Sequence, residues 1–305
     1  MKPKIIFISI LMTIALFGYS RTMTVNMENN NPERSQQGKT PTKPTFKIGI
    51  AFSGGGVKGI CHAGVLKALE EYGIRPKVIS GTSAGAIVAA LYADGYTPEE
   101  IMSFFDNLTF SKLTDIQLPD GGFFSMKSFE KFLDSKLHAK TFEELHIALR
   151  VVATNLDNGT SVAFSSGDLL QPIIASCSMP VMFSPKIIDQ TTYVDGGVLK
   201  NFPVSTIRDE CRYVIGVNCS PMVTDDYKLN VVSVATRAYH FMFRANSIHD
   251  KALCDILIEP KEIGHYDTFD VEKSREIFEL GYKTTVELME NETGQKFLAL
   301  LKANK

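Results

Sequence analysis

Two glycine-rich stretches hold the residues whose types and spacing could do chemistry. "GTSAG" (81–85) is G-x-S-x-G, set between a strand-like run "PKVIS" (76–80) and a helix-like run "AIVAALYADG" (86–95). That setting is the nucleophile elbow: Gly81 and Gly85 leave room for a sharp turn, and Ser83 stands exposed at its tip. A serine hydroxyl becomes a nucleophile when a neighbour takes its proton, and the chemistry it serves is acyl transfer. Upstream, "SGGGVKG" (53–59) joins the apolar run "FKIGIAF" (46–52) to a helical pattern ending near Gly73. A glycine turn at a helix start attracts negative charge, either a phosphate or an oxyanion that exists only during a reaction.

The phosphate readings lack their partners. Gly54, Gly56 and Gly59 satisfy G-x-G-x-x-G, but a dinucleotide site also needs an acid at the end of the second strand, and that strand ends "VISGTS". A P-loop needs Lys-Ser/Thr after its last glycine, where Ile60 stands. If the two strands are adjacent and parallel, the turns lie side by side. The N–H groups of Gly54, Gly55 and Gly56 then face Ser83 Oγ and could stabilise a tetrahedral acyl intermediate. The plainer alternative is a strand–helix connection whose glycines only permit close packing.

Ser83 needs a base. "YVDGG" (193–197) offers Asp195, although Asp-Gly-Gly alone is more often a hairpin turn. An ordinary aspartate, with a pKa of about 3.9, matches a serine proton poorly. Burial must raise it, or the proton must move late in the step. A Ser-Asp-His order would instead require a histidine after Asp195, and His240, His249 and His265 qualify by order alone. His62 lies on the first helix and reads as packing.

The elements that must position these residues alternate. Strand, turn, helix, strand, turn, helix is a βαβα pattern, implying parallel strands and right-handed crossovers. Strand-like runs recur at 149–156, 161–166, 212–220 and 254–260, "PKIIDQTTYVDGG" (185–197) holds two short strands around a turn, and "GGFFSMKSF" (121–129) reads as an aromatic loop. The expected fold is α/β, three layers (α/β/α) around a mainly parallel central sheet. Phe104, Phe105, Phe110, Phe123 and Phe124 crowd the segment after the second helix, as core or as the lining of an acyl pocket.

The ends and the composition bound the rest. Lys2 and Lys4 precede an apolar run from Ile5 to Phe17, then Gly18 and Ser20, so 1–20 reads as a signal peptide cleaved after Ser20, or as an uncleaved anchor. Residues 21–45 are polar and punctuated by proline, a flexible linker. A folded domain is expected over 46–305, in an exported protein that is periplasmic, secreted or membrane-associated. A net charge of −2 over 305 residues gives no support for nucleic-acid binding. Five cysteines without a CxxC pair suggest neither a disulfide framework nor a zinc site.

"SGGGVKGICHAGVLKAL", "ISGTSAGAIVAALYADG", "VVATNLDNGT", "IIASCSMPVMFSPKIIDQTTYVDGGVLKNFPV" and "VIGVNCS" come in the order and spacing of the patatin-like phospholipases, which the chain resembles from about Lys47 to Ser220. The resemblance implies a Ser-Asp dyad without histidine. Ser83 matches the nucleophile, Asp195 the base, and Gly54, Gly55 and Gly56 the oxyanion loop. Lys58, Gly59, Gly81, Gly85, Gly196 and Gly197 support the motifs. It implies no metal and no cofactor and a lipid or acyl-ester substrate, and the N-terminal tether suggests transient contact with a membrane surface. A catalytically silent lipid-binding module on the same fold is the alternative of another class.

Overall fold

Continuous apolar runs build the centre of the protein. The computed structural model describes residues 44–105, 115–116, 122–221, 229–269 and 271–303, so the expected leader, and the linker up to residue 43, lie outside the described residues. Residues 43–305 form one compact unit.

The main sheet is assembled from β1 (Phe46–Phe52), β2 (Val78–Thr82), β5 (Ala148–Asn155), β6 (Thr160–Phe164), β8 (Lys186–Ile188), β9 (Thr191–Asp195), β10 (Cys211–Val217) and β11 (Ile256–Ile258). Its order is β11-β10-β1-β2-β5-β9-β8, with β6 paired to β5. The strands from β11 to β5 are parallel, while β6, β8 and β9 are antiparallel to their neighbours. Successive side chains of a strand point to opposite faces. On one face Ile48, Ile50, Phe52, Ile79, Ile215 and Val217 join a core with α1 (Cys61–Glu71), α2 (Ala84–Ala93) and α8 (Ser274–Glu290). On the other, Ala51, Val78 and Val214 pack beneath Phe202, Val204 and Ile207. Both faces are covered, as strands without polar alternation require.

The register sets up the site. Val151 pairs with Gly81 of β2 and with Phe164 of β6, so these two strands occupy opposite edges of β5. Ala153 pairs with Val162 of β6 and with Asp195 of β9, so β9 also lies opposite β6. β2 and β9 therefore share one edge of β5, and because they run in opposite senses their carboxyl ends meet.

Two expectations change. "GGFFSMKSF" is not a loop throughout: Gly122–Ser125 forms β4, in a small sheet β3-β4-β7 with Asp115–Ile116 (β3) and Val181–Phe183 (β7), and Lys127 opens α4 (Lys127–Lys136). Its phenylalanines supply the strand propensity. "YVDGG" is not a hairpin turn either. Asp195 ends β9 and Gly197 opens the short α6 (Gly197–Lys200), because the chain turns back over β5 rather than pairing with itself. The remaining helices that matter here are α3 (Pro98–Phe105), α5 (Leu170–Cys177), α7 (Val231–Lys251) and α9 (Glu292–Ala303).

Candidate active site

Ser83 sits alone between β2 and α2 with φ 53° and ψ −124°, a conformation side chains rarely adopt. Such a residue costs on the order of 1–3 kcal/mol and persists only where its surroundings hold it. The two flanking glycines are required by close approach. A Cβ on Gly81 would come within 2.6 Å of the Gly85 carbonyl oxygen, and one on Gly85 within 2.6 Å of the Phe52 and Ser53 carbonyl oxygens. The strained amide is tethered: Ser83 N–H donates to Ser176 Oγ (2.8 Å), and Ser176 Oγ donates to the Val152 carbonyl (2.5 Å). Ser176, on α5, was not singled out from the sequence. It lies inside the quoted stretch that begins "IIASCSMP", but its role depends on α5 crossing β5.

Asp195 faces Ser83 from the end of β9. Its N–H donates to the Ser178 carbonyl (2.9 Å), and its Oδ1 accepts from Gly197 N–H (2.7 Å). The carboxyl is buried, and burial raises its pKa to about 6, while hydrogen bonds from Gly197 N–H and from the Ser83 hydroxyl pull the other way. Cys177, at the end of α5, is buried and lines the cavity beside Ser83. Burial, and then the Asp195 charge, push its thiol well above the usual range. A protonated thiol does not compete with Ser83 as a nucleophile.

The glycine turn lies beside the elbow, and a Cβ on Gly54 would stand 3.3 Å from Ser83 Cβ. Here one expectation is corrected. The Gly54 N–H is committed to the Asn201 carbonyl (3.0 Å), and the amides on either side of the turn are committed too, Ser53 to Val217 (3.1 Å) and Val57 to Thr268 (2.9 Å). Among the described residues, the donors left at the turn are the amides of Gly55 and Gly56. Gly56 has φ +61°, which glycine adopts without strain. Gly59 packs against Ala84, where a Cβ would approach the alanine methyl to 2.5 Å. Lys58 points into the protein, and burial lowers its pKa. Asn201 is fully buried, and neither of its side-chain polar atoms has a partner among the described residues.

Ser83 opens onto an apolar cavity of about 150 Å³ lined by Ile87, Val88, Phe105, Phe129, Phe183 and Phe269, among others. Of the phenylalanines expected there, Phe105 lines it and Phe124 packs against Phe183 (ring centroids 6.4 Å apart). Phe104 instead packs edge-on against Tyr96 (4.9 Å). Phe110 lies outside the described residues, as does the side chain of Phe123. Phe129, from α4, and Phe269 are contributed by segments far apart in the sequence.

No histidine is bonded to Ser83 or Asp195 among the described residues. His62 is buried, stacks on Phe52 (4.5 Å) and donates from Nε2 to the Ser53 carbonyl (2.8 Å). Burial lowers its pKa to about 4, so it is a neutral packing residue. His240 bonds Thr268 Oγ1 (3.3 Å), and burial holds it at about 4 as well. Among the described residues no cluster of His, Cys, Asp and Glu is suited to a metal ion.

Comparison with known proteins shows the family of the chain. The family model described as patatin-like phospholipase matches residues 50–207. An uncharacterised Bacillus subtilis protein, YqhO, is 36% identical over 214 residues, 59% of this chain and 74% of its own. Lysophospholipase NTE1 of Kluyveromyces lactis is 28% identical over 178 residues, which is 56% of this chain but 12% of the yeast protein. Mouse patatin-like phospholipase domain-containing protein 7 is 26% identical over 274 residues, 77% of this chain and 20% of the mouse protein. The chain thus spans a small part of these two relatives. Among solved structures, VipD of Legionella pneumophila superposes with a TM-score of 0.53 at 18% identity, covering 82% of this chain and 67% of that one.

Proposed function

Because the chain belongs to the patatin-like phospholipase family of lipid ester hydrolases, we propose that it cleaves carboxylic esters of phospholipids or lysophospholipids with Ser83 as nucleophile and Asp195 as its only base. The observation that carries the reading is one juxtaposition. A serine on a strained elbow lies at the end of the strand edge that also ends in a buried carboxylate, whose pKa burial lifts to about 6, over an apolar cavity.

The acyl chain enters the cavity and brings its ester carbonyl to Ser83. Asp195 accepts the Ser83 hydroxyl proton as Oγ bonds to the carbonyl carbon, and the carbonyl electron pair moves to oxygen. The N–H groups of Gly55 and Gly56 receive that oxyanion. Collapse of the intermediate breaks the ester C–O bond, and the departing alcohol takes the proton from Asp195. Water then attacks the acyl-serine with Asp195 again as base, releasing the fatty acid and restoring Ser83. A carboxyl near pKa 6 suits this work better than an ordinary aspartate, since it is ionised at neutral pH yet basic enough to hold a proton in passing.

Hydrolysis of short- and long-chain p-nitrophenyl esters and of a phospholipid tests the reading, beside Ser83→Ala and Asp195→Asn. Loss of turnover in both variants, with a fluorophosphonate probe labelling the wild type but not Ser83→Ala, is the expected result. A folded wild type inert towards every ester and unlabelled by the probe overturns it. The leader-like residues 1–20 and the polar 21–45 extend the proposal to an exported, tethered enzyme, and the mass of the mature protein's N-terminal peptide tests that part.

A further inference from the structure

Helix α7 has two faces with different partners. Its inner face holds the Asp195 loop. Phe243 packs beside Gly197, Asn246 Nδ2 donates to the Gly197 carbonyl (2.8 Å), and Asn246 Oδ1 accepts from Asn201 N–H (2.9 Å). Asp250, the one carboxylate of the helix, is buried and paired with Lys200 (3.2 Å).

The outer face is apolar and exposed. Val234, Ala238, Phe241, Ala245 and Ile248 follow one another at helical spacing over about 20 Å. Val234 is 46% exposed, Phe241 48% and Ile248 65%. Three residues after Val234, Phe241 and Ile248 come Arg237, Arg244 and Lys251, which form a parallel basic row. The Arg237 guanidinium lies 5.4 Å from the centre of the Phe241 ring.

The inner face and the basic row lead to the site. Tyr239 packs against the cluster of Met179, Met182 and Phe183, and Phe183 lines the Ser83 cavity. Arg244 and Lys251 line a polar groove of about 580 Å³, together with Lys261 and Glu259, and this groove reaches Ser220. Ser220 Oγ donates to the Gly54 carbonyl (2.6 Å), at the glycine turn itself.

We propose that the outer face of α7 is the surface by which the protein seats on an anionic lipid bilayer: Val234, Phe241 and Ile248 enter the headgroup boundary and, with Lys251 ion-paired to Glu259, Arg237 and Arg244 meet lipid phosphates. The inference rests on the proposed lipid ester hydrolysis and goes beyond it by naming the face presented to the membrane. An apolar stripe edged with arginine and lysine, and with no exposed carboxylate on the helix, is the composition of a helix that lies in the interface plane.

The chain has no tryptophan, so a single substitution reports on one place. Phe241→Trp in the full chain reads the proposed face. Leu300→Trp is the control, because it lies on α9 next to Leu301, whose carbonyl accepts from Lys47 at the end of β1 remote from the site. With vesicles containing phosphatidylglycerol, the Phe241→Trp emission moves to the blue and the shift weakens as salt is added. The Leu300→Trp emission does not move. An unmoved Phe241→Trp emission overturns the proposal, as does a shift equally large on phosphatidylcholine alone. A shift that follows protein concentration without vesicles assigns the stripe to a second copy of the chain and also overturns it. Hydrolysis of a soluble ester by the same proteins keeps the two readings apart: a blue shift without any esterase activity sinks the proposed function and leaves the membrane face standing.

Discussion

Thr82 and Asp195 pair with consecutive residues of β5, Val152 and Ala153, along the same edge of that strand. One arrives on a parallel strand and the other on an antiparallel one. Hydrogen-bond register, rather than any loop, therefore brings Ser83 to the carboxylate. Gly196 is the point where this junction has no slack: an added Cβ would run into the Val152 carbonyl oxygen and stand 3.0 Å from Thr82 Cγ2. Gly196→Ala is expected to fold and to lose about tenfold or more in kcat, since an ångström of misplacement can cost on the order of 100-fold. Steady-state ester hydrolysis with circular dichroism alongside checks this, and an unchanged kcat refutes it.

The pH dependence follows from the raised pKa of Asp195, about 6. The base form is ionised, so kcat/KM is expected to fall as pH drops through about 6 and to level off above about 7. A profile flat down to about pH 4 places the working base elsewhere.

The same shift has a stability cost of opposite sign. The folded carboxyl binds its proton more tightly than the unfolded one, whose ordinary value is 3.8. This group's stabilising contribution is fully present below about pH 4 and is lost as pH rises through about 6. At neutral pH the buried charge then costs up to about 3 kcal/mol, at about 1.4 kcal/mol per unit. Asp195→Asn keeps an oxygen for Gly197 N–H and removes the charge. It is expected to abolish turnover while raising Tm at pH 7.5, with little or no gain at pH 4. Thermal melts at the two pH values decide it.

Ser176 is expected to matter for turnover although it touches no substrate. Ser176→Ala leaves the Ser83 N–H without its acceptor, a loss of about 1–3 kcal/mol for a buried donor. The strained elbow then relaxes. A fall in kcat with KM little changed, and slower fluorophosphonate labelling, is the predicted pattern; a loss of stability with kcat intact would leave Ser176 purely structural.

His240→Ala is expected to retain ester hydrolysis within a few-fold, because His240 bonds Thr268 and neither Ser83 nor Asp195. Loss of turnover comparable to Ser83→Ala would restore a histidine-based mechanism.

Local chemistry was legible in the sequence. G-x-S-x-G between a strand and a helix specifies an elbow because only glycine tolerates the close approaches on either side of Ser83. The alternation of apolar runs and helical patterns specifies α/β layering, since buried parallel strands must be covered on both faces. Other facts are properties of pairs of distant segments, and no local pattern encodes them. Asn201 takes the Gly54 N–H and leaves Gly55 and Gly56 as the turn's donors, across about 150 residues of chain. Ser176 reaches Ser83 only because α5 crosses β5. The pKa of Asp195 depends on how completely helices and strands enclose it, which is a matter of packing. Residue types and spacing determined which groups could react; the tertiary structure decided which of them face each other, because burial and sheet register exist only once the chain is folded.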